Sequence, residues 1–213
     1  LRALRPFAAT DSTVMSFLAA FDLSDAGWIV LGGAFGYAYV RYKERVRRQQ
    51  LADAKREVNR AVQTLTIAAE EAKRIPGEVV PLDWTPQTES FLGMVRRFPV
   101  GPIIGITPFN FPLNLVVHKV APALAAGNPI LIKPAPQTPL TALLLGEVAL
   151  EAGLPAGGLN VLPCDNATAE RLVIDPRFKL LSFTGSAPVG WMLKSKCGKK
   201  KVTLELGGNA GVI

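Results

Sequence analysis

GPIIGITPFNFPLNLVVHKVAPALAAGNPILIK, residues 101–133, decides the fold. A short apolar run, Ile103–Thr107, leads through a proline-bearing turn into a helical stretch over 113–126. Gly127-Asn128 stops that stretch, and a second apolar run, Pro129–Lys133, follows at once. Strand, helix, strand at this spacing is a βαβ unit, whose two strands lie parallel in one sheet.

The alternation continues toward the carboxyl end. A helix is expected over 139–152, a strand over Leu159–Leu162, a helix over 167–174 and a strand over Leu180–Phe183. A helix over 187–195 and a strand over Lys201–Leu204 complete it, with Ala152-Gly153-Leu154-Pro155 and Cys197-Gly198 as stops. The expected class is α/β: a Rossmann-like, mostly parallel sheet with helices on both faces, preceded by a helical segment. Such a sheet binds ligands beyond the carboxyl ends of its strands, so chemistry is sought just after each strand.

Toward the amino end, Leu51, Ala54, Val58, Ala61, Val62, Leu65, Ala68, Ala69 and Ala72 recur at helical spacing, which predicts an amphipathic helix over 51–75. Glu57 with Arg60 and Glu70 with Arg74 are expected to pair on its outer face, and Pro76-Gly77 ends it. A polar connector, Val79–Glu89, follows. Ala26–Val40 is uncharged and precedes a basic stretch, in the order of a membrane anchor with its positive flank. It is shorter than the roughly 20 apolar residues a span needs and holds Gly32, Gly33 and Gly36, so a membrane partner is not expected. The organisation read from the sequence is an unassigned segment 1–50, a helix and connector 51–94, and an alternating α/β domain 95–213.

The apolar fraction of 49% and charged fraction of 19% exclude a disordered chain. The net charge of +7 gathers in Arg41, Lys43, Arg45, Arg47 and Arg48 and again in Lys194, Lys196, Lys199, Lys200 and Lys201. Neither cluster is interleaved with aromatics in the manner of a single-strand binder; both read as solvated faces, and no nucleic-acid partner is expected. One histidine, His118, and two separated cysteines, Cys164 and Cys197, leave no basis for a metal site. Isolated thiols point to a reducing, cytoplasmic compartment.

Four segments after strands carry chemistry. In Thr107-Pro108-Phe109-Asn110-Phe111-Pro112 two prolines fix the backbone around Asn110, whose carboxamide can donate to a developing oxyanion. Lys133, ahead of Pro134-Ala135-Pro136-Gln137-Thr138-Pro139, can reach ribose hydroxyls or a phosphate from its strand end. Phe183-Thr184-Gly185-Ser186-Ala187-Pro188-Val189-Gly190 turns a strand into a helix whose early proline leaves backbone N–H groups for an anion. In Thr203-Leu204-Glu205-Leu206-Gly207-Gly208-Asn209, Glu205 stands between apolar neighbours, where burial would raise its pKa and suit it to general-base work.

Taken in order, PFNFP, KPAPQTPLTA, FTGSAPVG and LELGG resemble the aldehyde dehydrogenase superfamily, a likeness running from about Leu51 to Ile213. The resemblance implies oxidation of an aldehyde to a carboxylic acid with NAD or NADP through a thiohemiacetal and a thioester. It implies Asn110 and Glu205 as catalytic residues. As cofactor-binding residues it implies Thr107, Pro108, Phe109, Asn110, Lys133, Pro136, Phe183, Gly185, Ser186, Val189, Leu206 and Gly207. A small-molecule aldehyde substrate and, for the full-length form, a homo-oligomer go with it. The family's nucleophilic cysteine lies beyond the LELGG motif, past Ile213, so a non-catalytic relative that binds nucleotide or only adopts the fold stands as the alternative. Pro136 occupies a place where NAD-selective members often carry a glutamate, which leaves NAD and NADP both open. Cys164-Asp165-Asn166 replaces a glycine-rich turn, and Asp165 is an unwelcome charge near cofactor phosphates. His118 is expected to be structural, and Cys197, though lysines beside it would lower its pKa, falls on the cofactor side of the motif order.

Overall fold

The computed structural model describes residues 25–208, with side chains from Gly36 onward. By internal contacts the chain divides between Ala54 and Lys55. Helix α1 is Asp25–Ala72, so it begins far ahead of the stretch over which its periodicity is legible. In its amino-terminal part Arg41, Lys43, Arg45, Arg47 and Arg48 are all exposed, and Arg41 and Lys43 lie over the rings of Tyr37 and Tyr39 at 5.9 and 5.4 Å. No described helix is long and apolar enough to cross a membrane.

Beyond Lys55 the buried seam of α1 differs from the apolar stripe in the sequence. Ala61 is buried, with Glu57, Thr64 and Ala68 half-buried, whereas Leu51, Val58, Val62 and Leu65 are exposed. Small side chains let the helix approach Val117 and Ala121 closely, and the wider apolar stripe faces outward. The expected outer-face pairs are also different: Glu70 takes Lys73 at 2.9 Å, Arg74 pairs with Glu71, and Glu57 turns inward. The stretch expected as a connector forms an antiparallel hairpin of β1 (Glu78–Pro81) and β2 (Leu92–Val95), closed around a 3-10 turn at Pro86–Thr88. Strands of four residues bearing a terminal proline give too short a pattern to read.

The main sheet has five parallel strands in the order β5-β4-β3-β6-β7: β3 (Ile103–Ile106), β4 (Ile130–Lys133), β5 (Leu159–Val161), β6 (Leu180–Gly185) and β7 (Lys201–Leu206). Helices α2 (Asn114–Ala125) and α3 (Pro139–Glu151) cover one face; α4 (Asn166–Ile174) and α5 (Ala187–Lys196) cover the other. Alternation along β3 feeds both cores. Ile103 joins Ile130, Ile132, Val116, Val120 and Ala142, while Ile104 and Ile106 join Leu181, Phe183, Val173 and Leu193. Ile104, Ile132, Leu181 and Val173 are fully buried, each a gain of about 1.5–3 kcal/mol. Chain order reverses beside β3, where β4 lies on one side and β6 on the other, and a doubly wound sheet opens its crevice at that point.

Candidate active site

Two clefts open along the carboxyl edge of the sheet. The first, about 250 Å³, is walled by α4 and α5 and floored by β3, β4 and β6: Ile106, Lys133 and Phe183 meet Asn166, Glu170, Val189 and Met192 there. Lys133 and Phe183 are buried. The Lys133 ammonium donates to Asn166 Oδ1 at 3.3 Å, and a Lys196–Glu170 ion pair at 2.5 Å ties α5 to α4 across the cleft wall. Asn166 is read in the sequence only as part of the Cys164-Asp165-Asn166 turn and Glu170 not at all, because nothing local marks these helix positions as facing a distant strand end.

The second cleft, about 460 Å³, brings together the turn after β3 and the ends of β6 and β7. Pro108, Phe109, Asn110 and Phe111 face Gly185, Ser186, Glu205, Leu206 and Gly207 across it. Residues from three of the four motifs, far apart in sequence, therefore share one wall-to-wall space. Ser186 is the N-cap of α5 with extended backbone, yet its hydroxyl makes no capping bond, and Pro188 occupies the first turn. The amides at that helix start have no side-chain partner and suit an anion. Close packing shapes the turn: a Cβ on Gly190 would sit 2.4 Å from Leu206 and 3.2 Å from Phe183. Thr107, just after β3, lines neither cleft, and its hydroxyl is buried without a hydrogen-bond partner. Pro136 is exposed and lines neither cleft.

Glu205 is exposed, so the expected burial between apolar neighbours is not what shapes it. Its carboxylate is instead addressed by side chains the sequence did not single out. Thr184 Oγ1 donates to Glu205 Oε2 at 3.0 Å and accepts from the Lys119 ammonium at 2.7 Å; Lys119 also donates to Ser182 Oγ at 3.1 Å. Lys119 reaches the sheet from α2 over Gly105, where a Cβ would meet its stem at 3.4 Å and Ile132 at 2.6 Å. Burial pulls the Lys119 ammonium down to about 8, against the pull of the Glu205 charge. An ammonium, a hydroxyl and a carboxylate so connected form a continuous path for a proton. One residue earlier, His118 is exposed beside Ile67 and Pro122, because a step of one residue turns a helix by about 100°.

Asp165 is bound within its own helix start. It is the N-cap of α4, accepting from the Thr168 amide at 2.7 Å, and that bond holds its carboxyl below the usual range. Cys197 is buried among Leu181, Leu193 and their neighbours, and burial raises its thiol, outweighing Lys200; the expected lowering by lysines is overturned. Burial likewise raises the Cys164 thiol, ahead of the opposing pull of Lys133. Among the described residues no group of His, Cys, Asp and Glu could hold a metal ion.

The sequence matches the profile of the aldehyde dehydrogenase family over residues 39–213. It is 48% identical over 166 residues to a 3-sulfolactaldehyde dehydrogenase of Priestia aryabhattai, covering 78% of this chain and 35% of that protein. It is 44% identical over 166 residues to the NADP(+) succinate-semialdehyde dehydrogenase GabD of Escherichia coli, covering 76% and 34%. The crystal structure of aldehyde dehydrogenase 21 from Physcomitrella patens, in complex with the reaction product succinate, superposes with a TM-score of 0.71 at 52% identity, covering 74% of this chain and 33% of that one. The chain thus spans about a third of the length of these relatives.

Proposed function

Because the chain belongs to the aldehyde dehydrogenase family, we propose that it supplies the NAD(P)-binding part, over residues 95–213, of an enzyme that oxidises an aldehyde to a carboxylic acid. The observation that carries this is the second cleft: Asn110 and Glu205 face one space at the switch point, beside an uncapped helix start. A donor for an oxyanion and a carboxylate base on opposite sides of a cleft suit addition to a carbonyl followed by hydrolysis.

The residues fit a dinucleotide. The Lys133 ammonium at the first cleft would donate to the adenosine ribose hydroxyls, and Ser186 with the α5 amides would meet the pyrophosphate. Phe109 and Phe183 would line the path between them. When bound, the dinucleotide supplies a hydride acceptor. On the protein side, a cysteine thiolate from outside residues 1–213 adds to the aldehyde carbon, and the Asn110 carboxamide donates to the resulting thiohemiacetal oxyanion. Glu205 takes the proton of the water that hydrolyses the thioester, its carboxylate held by the Thr184 hydroxyl, which in turn accepts from the Lys119 ammonium. With Pro136 exposed and no carboxylate contributed by its loop to the first cleft, that loop offers a 2′-phosphate no repulsion, and NADP fits the proposal as well as NAD.

The proposal includes a cytoplasmic enzyme, supported by two unpaired thiols, and a homo-oligomer for the full-length form, supported by the exposed apolar side chains of the hairpin, Val79, Leu92 and Met94. Calorimetric titration of the chain with NADP+ and NAD+ tests the binding half of the proposal: saturable binding of both is expected. Absence of binding to either, with the fold intact by circular dichroism, overturns it and leaves a relative that only adopts the fold.

A further inference from the structure

The loop that carries Asn110 is held from outside its own motif. Helix α2 begins immediately after it, and the residue at its N-cap, Leu113, has helical backbone and no side-chain capping bond; its first turn contains no acid. The amides at such a start need acceptors. Two of them have one acceptor in common: Glu57 Oε1, on α1, takes the Leu113 amide at 2.8 Å and the Asn114 amide at 2.9 Å. Three residues along α1, the Arg60 guanidinium lies over the Phe111 ring at 5.8 Å. Ala61, beside them, is buried against Val117 and Ala121, which seats this part of α1 firmly on α2.

Asn110 sits between two anchors. Upstream the loop is tied to the sheet, where the Thr107 amide donates to the Lys133 carbonyl at 3.3 Å. Downstream it is tied to α1 by Glu57. The Asn110 side chain is exposed and has no hydrogen bond to any described residue, so its backbone alone decides where the carboxamide stands. A carboxylate at a helix start is favoured by the helix dipole, and its bonds to N–H donors are charge-assisted.

We propose that Glu57 is a positioning residue for the chemical step: by clamping the first amides of α2 it fixes the loop that presents Asn110 to the oxyanion. This rests on the role given to Asn110 above. Its consequence is specific. Losing the clamp loosens the loop and the carboxamide but leaves Lys133, α4 and the start of α5 untouched, so turnover falls far more than cofactor affinity, to which this loop adds only Phe109.

The test compares Glu57→Ala, Glu57→Gln, Asn110→Ala and the double variant in the full-length protein, with Ile130→Val as a control. Ile130 is buried at the amino end of β4, remote from the carboxyl edge, and its shortening lowers stability without reaching the site. Glu57→Ala is expected to lower kcat by roughly tenfold to a hundredfold, the scale of a misplacement of about 1 Å, with a much smaller change in the NADP+ Kd. Glu57→Gln is expected to recover most of the rate, because its carbonyl oxygen still accepts both amides. On the Asn110→Ala background, Glu57→Ala is expected to cost nothing further, since the group it positions is gone. Equal loss of kcat in Glu57→Ala and in Ile130→Val at matched Tm overturns the proposal, as does full additivity in the double variant or a Gln variant as slow as Ala. An impaired Asn110→Ala beside an unimpaired Glu57→Ala overturns the clamp alone. Undiminished kcat in Asn110→Ala removes the role of Asn110 and the clamp with it.

Discussion

In the cleft between α4 and α5, Lys133 and Phe183 are buried, the walls are tied by Glu170 and Lys196, and every part comes from the sheet or the helix covering it. In the cleft beside the Thr107–Leu113 turn, Asn110 and Glu205 are exposed, and what holds them comes from elsewhere: Thr184 and Lys119 behind the carboxylate, Glu57 behind the loop. Both open on the same edge of the same sheet. The difference teaches that the fold itself preforms the cleft proposed for a nucleotide, whereas the groups proposed for chemistry are exposed and steered by long-range bonds. Binding and turnover should therefore separate cleanly under mutation.

The largest separation is expected from a crossed pair. Glu205→Gln in the full-length protein should lower turnover by roughly 10²–10⁴-fold, the scale of a lost general base, while NADP+ affinity stays unchanged. Lys133→Ala should do the reverse, raising the cofactor Kd by roughly 10–100-fold through loss of a charged hydrogen bond worth about 1.5–3 kcal/mol, with kcat preserved at saturating cofactor. Steady-state kinetics with separate binding titrations reads both. If either variant damages both quantities equally, the clefts are one site and the contrast fails.

Lys119→Met sharpens the second cleft by its pH dependence. Desolvation is the larger cause of its lowered value, about 8 in the folded chain against an ordinary 10.5. Between those values the unfolded chain binds the proton and the folded chain does not, so this residue makes stability rise as pH climbs through that window. Melting curves of the parent over this range should show a rise that Lys119→Met lacks. The same variant leaves Thr184 without its donor, and the pH profile of turnover should shift with it. An identical stability slope in parent and variant would mean that the ammonium is not desolvated in solution.

The contrast between the clefts also explains what could be read from the sequence. Strand, turn and helix of each βαβ unit lie within a few dozen consecutive residues, so Ile103–Ile106, Ile130–Lys133 and the turns after them were legible from local pattern alone. Asn110, Lys133, Ser186 and Glu205 are legible as candidates because they stand at or just after the carboxyl ends of strands. Lys119 and Glu57 were not, since one is a lone cation in an apolar helix and the other reaches a partner 56 residues away. Thr184 was quoted within its turn but passed over for Gly185 and Ser186; its value lies in the strand register that sets it opposite Glu205. Periodicity likewise marked α1 as a helix over 51–75 but not which stripe is buried, because Ala61 and Thr64 pack more closely than Val58 and Val62 can.

The smallest expected effect concerns Asp165, the residue whose charge looked most awkward for a nucleotide. Its carboxylate accepts the Thr168 amide, which lowers its pKa, so its contribution to folding is present above the ordinary carboxylate value and is lost as pH falls through the depressed one. As a cap on α4 it serves a wall of the first cleft rather than the ligand. Asp165→Ala should therefore lower Tm by only a few degrees at neutral pH, with Asp165→Asn retaining most of the cap because its carbonyl oxygen still accepts. NADP+ affinity should remain that of the parent in both. A marked tightening of NADP+ binding in both variants would show instead that the carboxylate confronts the phosphates, and that the first cleft is less finished by the fold than its buried lysine and phenylalanine indicate.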